Sequence, residues 1–534
     1  MGAGSLAHEA FRHGVLMQEP QPIAFGQYLP DLSPYLNPGL LKAENMVPIT
    51  GGYAKVNALS ALAGFTALAE RPRGSVAGID NAGNPYNFVG TETKLYELAH
   101  ETIDVTRTSG AYRCGGTDTW ELVVFEDFVL AVNIQDDSQS FEIGKSTNFV
   151  QLGNPLATKT VAPRAHHIGI LGTFVILGNT FDGTNGSGPN VLHWSARNDP
   201  FNWPTPGSDV ARAVQSDRQA LAGDGGQIQR VLSGAEVGLA FQERQVYRLD
   251  YQGGDAIFSL NRLEQKRGLL VPQICIPFGR QVFFLSEDGF YLHDYTESTS
   301  IGHERVDKTF LADLDFSNAH RVSAAQNPDR KEIWILYPGS GNSSGVPNKF
   351  LVYNWALDQF SHGLLDAEWI TEAVNVGLTI DSPGVVGDPD NTTDDPAFPD
   401  GGVDSAGLVS FDARIAAPGA MKLGAFNTSF VLSDFSGAGL TGTLETGRRA
   451  LRPIGRSLTE KAEIIVESAS PTIQAASVSR AKNSLKYGHV GKINEDGVAP
   501  VRVDGRFHSF RISLPTGWDN ALGLNVWSAS SGQR

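Results

Sequence analysis

From about Gly51 onward the chain repeats one phrase: a short apolar run rich in Val, Ile, Phe and Tyr, a few polar turn residues, then a second apolar run. Side chains alternate between faces along a strand, so runs of this length and composition settle as strands joined by tight turns. The clearest instance is Val282-Phe-Phe-Leu285, then Ser286-Glu-Asp-Gly289, then Phe290-Tyr-Leu-His293. A turn closed by Asp288-Gly289 between two β-rich runs is a strong hairpin signal. In Val237 to Phe241, the residues Val237, Leu239 and Phe241 share one face, and Val246 to Leu249 follows after four polar residues.

Similar pairs recur: Phe88-Val89 with Lys94 to Leu98, Leu122 to Phe125 with Phe128 to Val132, and Ile168 to Leu177 with Val191 to Trp194. Glu332 to Tyr337 precedes Phe350 to Tyr353, and Leu423 to Phe426 precedes Phe430 to Leu432. Taking Phe128, Phe174, Val237, Val282 and Ile333 as markers gives steps of 46, 63, 45 and 51 residues, and the next marker, Leu423, lies 90 further on. Units of roughly 40–50 residues with about four strands each are the signature of a β-propeller blade. A sandwich of the same hairpins is the other architecture this pattern allows. Closure favours the propeller, because blades that circle an axis bury both faces and leave only short edges. Closing the ring asks one terminus to lend a strand, a part that Tyr53 to Ala61 or Phe507 to Leu514 could play.

Composition agrees with an all-β chain. Of 534 residues only 19% are charged and 59 are Gly, which suits short strands and turns better than long solvated helices. The formal net charge of −16 argues against a protein that grips nucleic acid or an anionic membrane, since both need clustered Lys and Arg. The first 20 residues hold no basic segment followed by an apolar run, so no signal peptide is expected. The most apolar stretches run to about ten residues, half of what a bilayer requires. Cys114 and Cys275 match no metal-binding spacing and read as two reduced, buried thiols. The expectation is a soluble protein made in a reducing cytoplasm.

Two segments depart from the pattern. The first ~50 residues carry proline at 30, 34 and 38, which blocks helix and removes ladder donors. They read as an extended arm that lies on its own chain or a neighbour, with Tyr28, Asp31, Tyr35, Asn37, Pro38 and Gly39 as its candidate docking residues. Between Phe350 and Ala413 there are twelve acidic residues and no Lys or Arg, reading as a long acidic surface loop. A calcium site is the sharper alternative there, but the spacing matches no calcium motif. The expected organisation is therefore an arm over 1–50, blades over 51–365, an acidic loop insertion over 366–404, and last blades with closure over 405–534.

No enzyme motif is present. There is no phosphate loop and no His-Glu-x-x-His helix. Gly339 to Gly345 is glycine-rich but opens no helix, so a turn between strands is its expected role. His166-His167 is the one adjacent histidine pair, and neighbours on a strand point to opposite faces, which disfavours chelation. Ser286 to Phe290 is faintly like the Asp-box turn of sialidases, itself a structural turn. A glycosidase needs two carboxylates across a sugar cleft, and nothing marks such a pair. Trp194, Trp203, Trp334 and Trp355 lie in or beside apolar runs and read as core. No catalytic residue, metal or cofactor is expected.

The phrase Tyr28 to Val56, YLPDLSPYLNPGLLKAENMVPITGGYAKV, resembles the opening of the tail-nozzle proteins of short-tailed bacteriophages, also called tail-hub or packaged-DNA stabilisation proteins. Trp194 to Trp203, Phe284 to Tyr291 and Gly505 to Ile512 look like the same family, in the same order. Ala54 and the acidic segment depart from its pattern. The resemblance implies a β-propeller, commonly six-bladed, with peripheral loop insertions, in a homohexameric ring. That ring would sit in the virion tail below the portal and its head-to-tail adaptor. It would hold packaged double-stranded DNA, pass it without sequence recognition at infection, and anchor a tail fibre or spike and a needle or tip protein. An acidic wall would repel phosphate, so much of the negative charge is expected to line that lumen. A carbohydrate-binding or glycan-cleaving propeller is the alternative.

Overall fold

The computed structural model describes residues 20–35, 37–79, 85–99, 101–153, 161–254, 256–374, 421–480 and 483–531. The chain divides into two compact units: Asn57–Asp358 with Gly363–Gly437, and Met1–Val56 with Gln359–His362 and Ala438–Arg534. Both are β-built, and the described helices are short, such as Asp209–Ala213 and Asp307–Asp313.

The larger unit is a succession of antiparallel meanders in a propeller-like arrangement. The first runs Gly74–Ile79, Pro85–Gly90, Leu95–Leu98 and Thr102–Asp104. The second is Glu121–Phe125, Phe128–Asn133, Asp136–Glu142 and Val150–Gln151; the third is Arg164–Leu171, Phe174–Asp182, Gly186–Trp194 and Asp217–Ala220. The fourth is Ile228–Leu232, Val237–Gln242, Val246–Tyr251 and Phe258–Glu264; the fifth is Cys275–Phe278, Gln281–Ser286, Gly289–His293 and Ser298–Ser300. The sixth runs Ser323–Asn327, Glu332–Tyr337 and Lys349–Asn354 into Gln359–Leu364, the strand at which the two units divide. The seventh is Ala367–Val374, Met421–Asn427 and Leu432–Asp434, and its fourth strand is Ser60–Ala61 from the start of the same unit.

Hydrophobic packing between successive meanders explains the arrangement. Phe88, Leu95 and Trp120 join Val129 and Phe141 between the first and second, and Val132, Ile168 and Leu177 fill the gap between the second and third. Leu192, Trp194 and Phe258 pack between the third and fourth, and Phe241 and Phe284 between the fourth and fifth. Phe283 stacks on Tyr353 between the fifth and sixth, and Trp334 meets Phe435 between the sixth and seventh. Val89 and Tyr96 of the first meander share a cluster with Trp369 and Phe426 of the seventh, so the series returns to its beginning. Each sheet buries both faces this way, which no single meander could do.

Among the described residues seven meanders stand where six blades were expected. Ala367–Val374, assigned above to an acidic loop, is the first strand of the seventh; its Glu368 pairs with Arg321 at 2.6 Å. The rest of that loop, 375–404, lies outside the described residues. Hairpins read from the sequence are present at Ser286↔Gly289 in the fifth meander and Phe241↔Val246 in the fourth, while Ile168–Leu177, read as one run, turns at Gly172 into two strands with Ile168 opposite Leu177. Of the expected Tyr53–Ala61, only Ser60–Ala61 lends a strand to the seventh meander, whereas Tyr53 lies in Gly52–Lys55 of the smaller unit.

Phe507–Leu514 does not close the ring. It belongs to the smaller unit, as does everything described from 438 onward, so the expected last blades over 405–534 end at Asp434. One sheet of the smaller unit orders Met46–Ile49, Gly52–Lys55, Asn520–Ser531, Arg456–Val466 and Val498–Gly505, with Gln21–Ala24 also pairing Asn520–Ser531. The other carries Leu40–Glu44, Gly442–Thr446, Phe507–Leu514, Thr472–Val478 and Gly491–Lys492, with His362 opposite Glu44. The fully buried His508 ring crosses from the second sheet to the Ser457 hydroxyl at 2.9 Å and the Thr459 hydroxyl at 3.2 Å on the first. The arm expected over 1–50 is thus, from Gln21, a set of sheet strands and connecting loops.

Candidate functional site

The first strands of all seven meanders line one cavity of about 270 Å³ in the larger unit. Its walls include Ser75, Glu121, His167, Arg230, Gln273, Gln326 and Thr371, one from each meander or the turn leading into it. Period-two alternation puts polar residues here while their neighbours fill the hydrophobic gaps between sheets.

These polar groups bond across meanders. The buried Glu121 carboxylate sits 2.8 Å from His167 Nδ1 and 3.1 Å from Arg230 Nε, tying the second meander to the third and fourth. The Ser75 hydroxyl lies 2.7 Å from that of Thr371 and accepts from the Trp369 indole N–H at 3.0 Å, tying the first to the seventh. Gln326 donates its backbone N–H to the Glu372 carboxyl at 3.2 Å, and burial holds that carboxyl above its ordinary range. Gln273 reaches across to Thr119 at 3.4 Å. Ser75 has no base among these partners. The Cys275 thiol, also in the wall, is pushed by burial up to about 12, which keeps it protonated and unreactive. The cluster is suited to holding sheets in register rather than to acid–base or nucleophilic chemistry. At about 270 Å³ the cavity falls just below the span of small-molecule sites, roughly 300–1,000 Å³.

The arm residues take places on their own unit. Tyr28 packs on His362 with ring centroids 4.8 Å apart. Asn37 is buried; its side chain donates to the Leu29 carbonyl at 2.7 Å and accepts from the Gly39 N–H at 2.8 Å. Gly39 is required by space, since a Cβ there would lie 2.1 Å from the Gln27 carbonyl oxygen. The carbonyls of Pro34 and Pro38 accept from the Arg448 N–H and the Arg449 guanidinium. Asp31 is half-buried, whereas Tyr35 is 48% exposed, edge-on to Phe507 at 5.3 Å. Asp288 accepts from the Tyr291 hydroxyl at 2.7 Å, and Gly289 adopts φ +137° beside Asp307.

Of the paired histidines, His167 joins the cavity, and His166 is driven down to about 4 by burial and by its neighbour. A groove of about 540 Å³ between the second and third meanders holds two carboxylates, Asp137 of the second and Asp182 of the third, with Phe181 and Trp203. Asp182 caps the backbone of Thr184 and Asn185, Asp137 meets Arg164 at 3.3 Å, and Trp203 is 2% exposed. Phe181 is the exposed aromatic of this groove, and the Arg164 guanidinium lies over its ring at 5.6 Å. Trp194 and Trp334 are likewise core, and both cysteines are buried and unpaired. Among the described residues, no group of three or more His, Cys, Asp or Glu could hold a metal ion, and no helix is long and apolar enough to cross a membrane.

No family model and no curated protein matches the chain. Among solved structures it is similar to PorZ, a surface component of the type-IX secretion system of Porphyromonas gingivalis, at 12% identity and TM-score 0.30 over 57% of this chain and 35% of that one. The aligned part thus spans about a third of PorZ. It is similar to virginiamycin B lyase from Staphylococcus aureus at 10% identity and TM-score 0.30, over 57% of this chain and 87% of that one. It is also similar to human WBSCR16 at 7% identity and TM-score 0.29, over 57% and 85% of the two chains. Likenesses this weak carry no argument about function.

Proposed function

We propose that this chain is a structural component of the tail of a short-tailed bacteriophage, a nozzle or hub protein whose copies ring the DNA path. In this reading the larger unit is a closed propeller of seven blades, and Ser60–Ala61 is its closing strand. The ring of copies continues the channel below the portal and adaptor, retains packaged DNA until infection, and offers its outer surface to a fibre or spike and a tip protein. The protein is made in the host cytoplasm and resides in the virion.

The observation that carries the reading is the central cavity. Its polar groups, an ion-paired carboxylate and a pair of hydroxyls among them, meet across blades, so the propeller is braced as a frame rather than opened as a reaction site. The tail-protein resemblance supports it further. The phrases Tyr28 to Val56 and Gly505 to Ile512 come from opposite ends of the sequence and meet in one sandwich, at Tyr35 and Phe507. The cavity is far too small for a duplex, whose major groove alone is about 12 Å wide. DNA therefore passes between copies and not along a propeller axis.

Electron microscopy of the purified full-length chain, alone and with the adaptor of the same phage, tests this. The expected particle is a six-fold ring with an open centre wider than a duplex. A chain that stays monomeric with adaptor present, and that binds or cleaves glycans, would overturn it in favour of the carbohydrate reading.

A further inference from the structure

Charge is distributed unevenly along this chain. Residues 438–534 hold 13 Lys and Arg against 8 Asp and Glu, a net of +5, while residues 57–437 hold 26 against 46, a net of −20. Leaving aside 375–420, the latter span still carries −13.

The fold gathers the basic residues. At one end of the sandwich Val498–Gly505 passes into Phe507–Leu514 through the single residue Arg506. Ser457 lies opposite Gly505, which sets Arg456 beside Arg506. Arg506 donates its N–H to the Val478 carbonyl at 3.1 Å, which sets Arg480 on the same end. The Arg449 N–H donates to the His508 carbonyl at 2.8 Å, bringing in the Arg448–Arg456 loop with Arg452. Asp504, bound to Arg456 at 2.7 Å, is the acid placed among them. Arg480 and Arg506 are exposed, with Arg506 lying over the Phe507 ring. At this end Ile454 is 89% exposed and Tyr35 48% exposed.

We infer that this arginine-rich end of the sandwich docks on the acidic 57–437 unit of a second copy of the chain, forming a head-to-tail contact. A heterologous contact of this kind generates a ring when its rotation closes. Two observations choose a protein over a nucleic acid as the occupant. A chain at −16 repels phosphate at long range, and exposed Ile and Tyr among arginines are the anchors of protein interfaces. The same chain supplies the complementary charge, a net of −20 over 57–437. The ring geometry rests on the function proposed above; the contact itself rests on charge and exposure.

The test is self-association of the full chain by light scattering, with charge-to-charge cross-linking and mass spectrometry to map contacts. Wild type is expected to assemble at about 0.05 M salt and to loosen at about 0.5 M as screening rises. R480E/R506E and, separately, I454D are expected to weaken association about tenfold or more with the thermal midpoint unchanged. Cross-links are expected from 448–506 to acidic residues of 57–437 in another copy. Rings that form without those cross-links, or with both variants at wild-type strength, overturn the inference and leave the tail reading standing. Those cross-links in open chains or pairs without rings uphold the inference and sink the tail reading. A chain monomeric at all concentrations overturns the inference, as does loss of DNA binding rather than of self-association in R480E/R506E.

Discussion

His193 lies on the third strand of the third meander, 4% exposed, packed edge-on against Trp203 at 5.5 Å, with neither ring nitrogen bonded. Burial drives it down to about 4. The folded chain therefore keeps it neutral while the unfolded chain protonates it near 6.5, so its contribution is complete above about pH 6.5 and is lost as pH falls to about 4. That loss is at most about 3 kcal/mol. Urea titrations of wild type and H193F across this range are expected to show the variant losing less stability on acidification; equal slopes would contradict the argument. Gly289 makes a second residue-scale case. With φ +137° and a Cβ that would fall 2.1 Å from Asp307 Oδ2, G289A is expected to cost about 2–4 kcal/mol by chemical denaturation. That turn was legible because Asp-Gly chemistry is local. The Glu121–His167 pair was not, because its members stand 46 residues apart and meet only when two sheets pack.

Elements were legible to the extent that their signals were periodic. The hairpins at 237–251 and 282–293 announce themselves by alternation and turn residues. Ala367–Val374 hid because its Glu368 and Glu372 look solvated in sequence, while in the fold one pairs with Arg321 and the other accepts the Gln326 N–H. Phe507–Leu514 alternates as any half-buried strand does, so its pattern could not say whether it finishes a blade or enters a sandwich. The cavity network is likewise a property of elements, since Glu121, His167 and Arg230 come from the first strands of three different meanders. E121A leaves His167 and Arg230 without their shared carboxylate in a largely buried place, and the expected loss is about 3–5 kcal/mol. E121Q keeps the shape and is expected to lose less, so thermal melts of the pair separate charge from volume.

At the scale of the molecule, the seventh meander is completed by a strand, Ser60–Ala61, that precedes the first meander in sequence. Ser60–Ala61 pairs Asp434 and Ser433, and the Leu62 N–H continues to the Leu432 carbonyl at 3.0 Å. A fragment spanning 57–437 keeps both partners of that closure and all seven inner strands, and is expected to be soluble and to unfold in one cooperative step. A fragment beginning at 66 loses the lent strand, its few backbone hydrogen bonds, and the cover over the edge of Leu432–Asp434. It is expected to be less stable by about 2 kcal/mol and more prone to aggregate, read as a lower urea midpoint and concentration-dependent light scattering. Equal midpoints for the two fragments would mean that face packing alone joins the first and seventh meanders, with Val89, Tyr96, Trp369 and Phe426 sufficient to hold them together. The two outcomes distinguish a meander series latched by backbone pairing from one held only by its core.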